Sequence, residues 1–387
     1  MPGLLTSLNV VEYGQYISAP FCAKLLGDLG ASVVKVEDPD GDYARRVGPF
    51  PGDMPDPEKS GLFLALNTSK KGVTLDLQTP QGQETLCKLL DKADVFVENT
   101  PPGALAALGL GYDALSRRNP RLIVASVTPF GQGGPYRDYK ATDLTLFQMS
   151  GYAPQVSGGV DDPSSQPPLR PGGHQAEFVA GVTAATATMM AVSLRERTGR
   201  GSHVDLSAWE AIAMMPQGAI AEAAFGRGNL SRKREDRPVG AILSLLPTVD
   251  GYVAVSPRED HQWAAWLEIM GNPAWGSDPK FKERDARHKN WMELDRLMAQ
   301  WTRHLKKEDV YRRAQAAHVP AFPVNTAADL FSSPQLKARN FFVELDHPEA
   351  GKLPYPGFAY TLSNTALQIQ GPAPLLGQHN DEVLRGL

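Results

Sequence analysis

Glu177 stands where a Gly/Pro-rich segment, LRPGGHQA, runs into FVAGVTAATATMMAVSL, a stretch of helix length with no other charged side chain. A carboxylate buried without a partner is expensive, whereas the free N–H groups of a helix start stabilise negative charge. Two chemistries fit the position. Glu177 is either a first-turn acid that complements the helix dipole, which is the simpler reading of the residue types alone, or a positioned nucleophile or base. Ala180, Gly181, Ala184, Ala185 and Ala187 let a helix pack closely on its neighbours, so its start is expected to be buried or at the floor of a cleft.

Other common chemistries find little support. Cys22 and Cys87 lie in separate helix-like segments without a CxxC pair, as packing residues do. His174, His203, His261, His288, His304, His318, His347 and His379 are scattered, with no HExxH and no Cys/His cluster, so no metal is expected. The first strand–loop–helix unit contains YGQYISAP, which lacks the three glycines of a dinucleotide fingerprint, so neither a nicotinamide nor a flavin is expected. No GxxxxGK[ST] occurs either.

The elements that must carry Glu177 alternate in the manner of a parallel α/β sheet. Strands are expected at LNVVEY, ASVVKVE, GVTLDL, DVFVEN and RLIVASV, with helices at SAPFCAKLLGDLG, QGQETLCKLLDKA and around YDALSRRN. Such sheets bind ligands at the carboxyl ends of their strands, which here are YGQYISAP, EDPDGDYARR, NTPPGAL and TPFGQGGPYRDYK. After the Glu177 helix come the turn TGRG, a strand HVDLSAW and a helical stretch EAIAMMPQGAIAEAAFG. A charged connector RGNLSRKREDRPVG leads to a second unit: AILSLLPTVDGYVAVSP as strand–turn–strand, then helices at WAAWLEIMG, WMELDRLMAQWTRHL and KKEDVYRRAQAAH. The stretch from VPAFPVNTAADL to ELDHP reads as irregular.

With 387 residues, 42% hydrophobic and 21% charged, the chain has room for two domains, and a net charge of -4 disfavours nucleic acid and anionic membranes as partners. The apolar run near residues 178–194 suits a buried helix better than a bilayer span, and no secretory signal pattern opens the chain, so the cytosol is the expected compartment.

Several segments together resemble the family III coenzyme A transferases, the CaiB/BaiF family. The carriers are APFCAKLLGDLGASVVKVEDPDGD, LNTSKKGVTLDLQTPQG, VENTPPGALAALGL, NPRLIVASVTPFGQGGP, TGRGSHVDLS, VPAFPVNTAADLFSSPQLKAR and PLLGQHNDEVL, in order along nearly the whole chain. The resemblance implies an α/β fold: a Rossmann-like large domain with a parallel sheet (1–205), a linker (206–240), a smaller α+β domain (241–320) and a return segment completing the large domain (321–387). It also implies an interlocked, ring-like homodimer, and as substrates an acyl-CoA and a carboxylic acid.

By the same resemblance Glu177 occupies the place of an aspartate that attacks the acyl-CoA thioester, with Lys140 matching a lysine near the CoA. Tyr16, Ile17, Ser18, Arg45, Asn99, Thr100 and Asp143 become candidate CoA contacts. The pattern also departs from the family's: glutamate replaces aspartate, a glycine-rich loop of formyl-CoA transferase reads GAILSLLPTVDG, and a CoA-holding arginine is Ala107. The family's racemases use a histidine followed by aspartate where this chain has Thr142-Asp143. Asp143 and Glu259 keep a racemase or isomerase open as an alternative, and a catalytically degenerate acyl-CoA-binding protein is a third reading.

Overall fold

The structure, a computed structural model, describes residues 3–156, 160, 162–227, 232–233 and 244–387. It forms two compact units, one of Met1–Val156, Leu169–Ile220 and Leu336–Leu387, the other of Ser157–Pro168 and Ala221–Gln335. The first is built on six strands, β1 (Asn9–Tyr13), β2 (Ser32–Glu37), β3 (Lys70–Thr74), β4 (Val95–Glu98), β5 (Ile123–Thr128) and β6 (His203–Ser207). All pair in parallel, in the order β3-β2-β1-β4-β5-β6. Side chains alternate between two cores: Val10, Val33, Val95, Val97, Ile123 and Ala125 face one, Val11, Val36, Val73, Phe96 and Val124 the other. Near-continuous apolar strands are what a sheet covered on both faces requires.

The helices of this part are α1 (Ser18–Asp28), α2 (Gly61–Leu66), α3 (Pro80–Asp91), α4 (Ala104–Ala107), α5 (Tyr112–Arg118), α6 (Asp143–Met149), α7 (Ala153–Val156), α8 (Gln175–Thr198), α9 (Ala208–Ala213) and α10 (Gln217–Ala224). α8 is long and apolar enough to cross a bilayer. Its Ala176, Ala180, Ala184 and Ala191, however, are buried in the first core with Ala19, Cys22, Ala23 and Leu26 of α1. The strand order reverses between β1 and β4, and that switch point opens a crevice at the carboxyl edge of the sheet.

In the second unit β7 (Ser244–Thr248), β8 (Gly251–Val255) and β9 (Ala321–Pro323) form an antiparallel sheet. Its core joins Leu246, Val253 and Val255 to Trp263, Trp266, Leu294, Met298 and Val310. Those side chains come from α11 (Asp260–Ile269), α14 (Trp291–Thr302) and α15 (Lys307–Ala316), with α12 (Pro279–Lys282), α13 (Arg284–Lys289) and α16 (Ala327–Ser332) between and after. The chain ends with α17 (Pro334–Ala338), the hairpin β10 (Phe342–His347) and β11 (Gly351–Pro356), and α18 (Asn380–Leu384).

Several expectations shift. The strand expected at residues 72–77 starts at Lys70 and leaves the sheet after Thr74. The helix expected across 210–226 breaks at Pro216 into α9 and α10, because proline has no N–H for the helix ladder. The stretch read as irregular holds β9, α16, α17 and β10, with Thr326 and Asp329 closing a capping box on α16. Residues through Ile220 belong with the parallel sheet, 321–323 pair with β8, and the chain rejoins the first unit at Leu336. Of the expected linker, residues 228–231 and 234–240 lie outside the described residues, as do 241–243 of the expected strand.

Candidate active site

Glu177 is in the first turn of α8, but it is not what neutralises that helix start. Oδ1 of Asp143, the first residue of α6, accepts from the backbone N–H groups of Ala176 at 2.8 Å and Glu177 at 3.3 Å. The dipole role left open above therefore belongs to Asp143, which is 5% exposed. The Glu177 carboxylate points instead at the start of α1, whose N-cap Ile17 supplies no side-chain acceptor. There the hydroxyl and backbone N–H of Ser18 act on it electrostatically, favouring its charged form.

A glycine sets this meeting. A Cβ on Gly181, one turn along α8 from Glu177, would lie 2.8 Å from the carbonyl oxygen of Ser18 and 3.0–3.1 Å from Phe21. Only a residue without that atom lets α8 approach α1 so closely. An edge-to-face contact of Phe21 with Phe178, centroids 5.0 Å apart, fixes the rotation of the pair. Burial raises the pKa of Glu177, the Ser18 hydroxyl opposes the rise, and the negative Asp143 adds to it. The result is a half-buried carboxylate that is less hydrated than an ordinary glutamate, a condition that favours nucleophilic use.

The loop before α1 and the first turn of that helix are held at several backbone groups. The buried Lys35 ammonium donates to the Gly14 carbonyl at 2.9 Å, and Asn99 bonds both the N–H and the C=O of Gln15 at 2.9 and 2.8 Å. Asp42 Oδ1 accepts from the Tyr16 N–H at 2.8 Å, and Lys70 donates to the Pro20 carbonyl at 2.8 Å. Behind this loop Lys35 pairs with Glu12 and Asp42, each at 2.8 Å, while Lys70 meets the other Glu12 oxygen at 2.7 Å. Burial pulls the Lys70 ammonium down to about 8 against the attraction of Glu12.

Beside the loop lies a cavity of about 700 Å³ at the switch point, lined among others by Tyr13, Tyr16, Asp38, Tyr43, Asn99 and Leu105. Among the described residues no basic side chain lines it. A smaller one, about 170 Å³, shares Thr100, Pro101 and Leu105 with it and has Arg137 on its wall.

Of the residues proposed from sequence, Glu177, Ser18, Tyr16 and Asp143 meet at the junction of α1, α6 and α8. Asn99 and Thr100 line the cavity, though the Asn99 amide braces the loop and Thr100 donates to Glu98 through both N–H and hydroxyl. Ile17 is fully buried and offers a ligand no side chain. Arg45 requires correction as a phosphate contact. It is 1% exposed, pairs with both oxygens of Glu37 and with Glu58, and lies 3.6 Å over the Phe63 ring, so its donors are turned into the protein. Arg46 is exposed and donates to the Asp40 carbonyl at 3.0 Å. Lys140 is exposed just before α6, and Glu259 closes a capping box on α11 in the second unit. Among the described residues no group of His, Cys, Asp and Glu is arranged to hold a metal ion.

Sequence reasoning missed His174 and Arg170. The Tyr16 hydroxyl lies 3.3 and 3.4 Å from the two ring nitrogens of His174, and Arg170 reaches Asp143 Oδ2 at 3.6 Å. The signal was present in LRPGGHQA, where both residues flank the glycines just before the Glu177 helix.

The model of the CoA-transferase family III matches residues 5–380. The succinyl-CoA–D-citramalate CoA-transferase of Chloroflexus aurantiacus is 32% identical, over 100% of this chain and 94% of its own length. The BbsE subunit of succinyl-CoA:(R)-benzylsuccinate CoA-transferase from Thauera aromatica is 34% identical over 94% and 90%. Human succinyl-CoA:glutarate CoA-transferase is 30% identical over 98% and 85%. A crystal structure of a CaiB/BaiF family protein from Brucella suis superposes with a TM-score of 0.90 at 29% identity, covering the whole of both chains. With its parallel sheet, its carboxylate at the meeting of α1 and α8, and a family match across nearly all its length, this chain belongs to the CoA-transferase family III.

Proposed function

We propose that the protein transfers CoA from an acyl-CoA to a free carboxylic acid with Glu177 as the covalent carrier. The observation that carries this reading is the Glu177 carboxylate at the close approach of α8 to Ser18 at the start of α1, with Asp143 rather than Glu177 taking up the N–H groups of the α8 start. A Glu177 oxygen attacks the thioester carbon, and the C–S bond breaks with its electron pair leaving on sulfur, giving a mixed anhydride and CoA thiolate. The thiolate then attacks the glutamyl carbonyl and releases the donor acid, leaving a glutamyl-CoA thioester. The acceptor carboxylate runs the same steps in reverse. Incubation with succinyl-CoA followed by borohydride or hydroxylamine should mark Glu177 alone in peptide mass spectrometry. Solvent deuterium at Cα without an adduct would instead indicate a racemase, and CoA binding with neither outcome a degenerate binding protein.

The 700 Å³ cavity has Glu37, Asp38 and Asp42 on its wall and, among the described residues, no base, so it suits an uncharged aromatic or amide part of CoA better than its phosphates. We assign the phosphates to the basic residues of neighbouring loops, Arg137, Lys140 and Arg46. Exposed apolar side chains on α8 and just beyond it, Val182, Met190, Met214, Met215 and Ile220, give a second copy of the chain a surface to cover. That supports the homodimer implied by the family.

All three transferases named above are named for succinyl-CoA. We infer a dicarboxylic acyl-CoA as donor here, with Arg170 receiving its distal carboxylate. The guanidinium stands beyond hydrogen-bond length from Asp143, is partly exposed, and acts electrostatically on Tyr16 in the same site. Charged hydrogen bonds contribute about 1.5–3 kcal/mol, so Arg170→Ala should raise KM for succinyl-CoA about 10- to 100-fold. Butyryl-CoA, equally long but lacking the carboxylate, should be affected little. Equal changes for the two donors would remove this role from Arg170.

A further inference from the structure

Tyr16 and His174 are both non-glycine residues in the left-handed region, with φ of 70° and 53°, and their side chains touch. Such backbone costs about 1–3 kcal/mol per residue and persists where the surroundings enforce it, often at functional sites. Here the enforcement is visible. Asp42 holds the Tyr16 N–H, Asn99 and Lys35 hold the residues before it, and His174 follows Gly172 and Gly173 at the N-cap of α8. The strain brings a phenol against an imidazole edge-on, centroids 5.4 Å apart, three residues ahead of Glu177. The Tyr16 ring also packs 5.5 Å from that of Tyr43 and lines the main cavity.

The attack on a thioester creates a second need for donors. Ser18, at the close approach of α1 and α8, serves the attacking carboxylate, whose charged form it favours. As the new C–O bond forms, the carbonyl π pair moves onto oxygen, and that oxyanion requires its own hydrogen bond. We propose that Tyr16 is a catalytic residue whose hydroxyl donates to the thioester oxygen as it becomes negative, and that His174 is the positioning residue that aims it. This rests on the reading of Glu177 as nucleophile. Both ring nitrogens are within reach of Oη, and in the arrangement proposed a ring N–H of His174 donates to Oη, which leaves the phenolic proton free for substrate. The proton stays on Tyr16 throughout; when the C–S bond breaks, the carbonyl re-forms and the hydrogen bond weakens. Burial, then the negative Glu177, raises the pKa of Tyr16, which keeps it a donor at neutral pH.

The test compares wild type, Tyr16→Phe, His174→Ala and His174→Gln in single turnovers with succinyl-CoA, following the trapped Glu177 adduct, with CoA affinity and thermal unfolding measured alongside. Loss of one oxyanion donor costs about 10²–10³-fold in rate. Tyr16→Phe should therefore slow adduct formation by about that factor while CoA affinity and unfolding temperature stay at wild-type values. His174→Ala should slow it about 10-fold, and His174→Gln, which can still donate to Oη, should recover most of the rate. A wild type that forms the adduct while Tyr16→Phe forms it equally fast overturns the role given to Tyr16. Equal rates in the two His174 variants overturn aiming by His174. A wild type that never forms the adduct overturns the nucleophile itself, a result distinct from the other two.

Discussion

Glu177→Gln should abolish transfer and at the same time make the folded protein more stable at neutral pH. The amide fills the same space but cannot attack a thioester, and removing a covalent nucleophile costs at least about 10³-fold in kcat. CoA affinity should change little, because the cavity and basic loops are untouched. The stability gain follows from linkage. The folded-state pKa of Glu177 is raised above its unfolded value, chiefly by burial. Its contribution is therefore full below the unfolded value, about 4.3, and is lost as pH rises through the folded pKa. At pH 7 the wild type carries that loss and the amide does not. Thermal unfolding of the two proteins at pH 7 and at pH 4 checks this: the advantage of Glu177→Gln should shrink toward the lower pH. An equal advantage at both values would mean that ionisation of Glu177 is not its source. The same raised pKa predicts a wild-type rate that climbs with pH through a limb above that of an ordinary glutamate.

The largest structural effect is expected from Lys35→Met. Lys35 is fully buried and simultaneously satisfies Glu12, Asp42 and the Gly14 carbonyl. Removing one partner of a buried ion pair typically costs about 3–5 kcal/mol, because a charge is left without compensation. Lys70 still meets Glu12, but Asp42 loses its cation, and Asp42 is the acceptor that holds Tyr16 left-handed. Denaturant titration should register the lost stability, and residual activity at a temperature where the variant remains folded should fall with it. Restoration of stability but not rate by a second change, Asp42→Asn, would separate the two consequences. A Lys35→Met protein with wild-type stability would show that this cluster does not hold the loop.

Much of this was legible along the chain. The parallel strands could be read because valines and isoleucines form short unbroken runs, and a sheet buried on both faces demands such runs. Capping signals were read less well: Thr326 and Asp329 mark α16 by their three-residue spacing, yet the segment passed as irregular among its prolines and serines. Pro216 was visible, but whether a proline breaks or only bends a helix depends on what packs around it. Arg45 looked like a surface cation because neighbouring residues are polar. Nothing local indicates that Glu37, Glu58 and the Phe63 ring converge on it from three separate segments.

By itself the sequence determined the fold class, the family pattern, and the unusual carboxylate at the head of a small-residue helix. These depend on order and local spacing, which a chain carries in one dimension. Tertiary structure decided what that carboxylate does. Asp143, 34 residues earlier, takes over the dipole of α8, and Gly181 allows α1 to come close enough for Ser18 to meet Glu177. The left-handed pair Tyr16 and His174, 158 residues apart, joins them there. Each of those contacts is made between elements distant in sequence, and their energies depend on distance and burial that only packing sets.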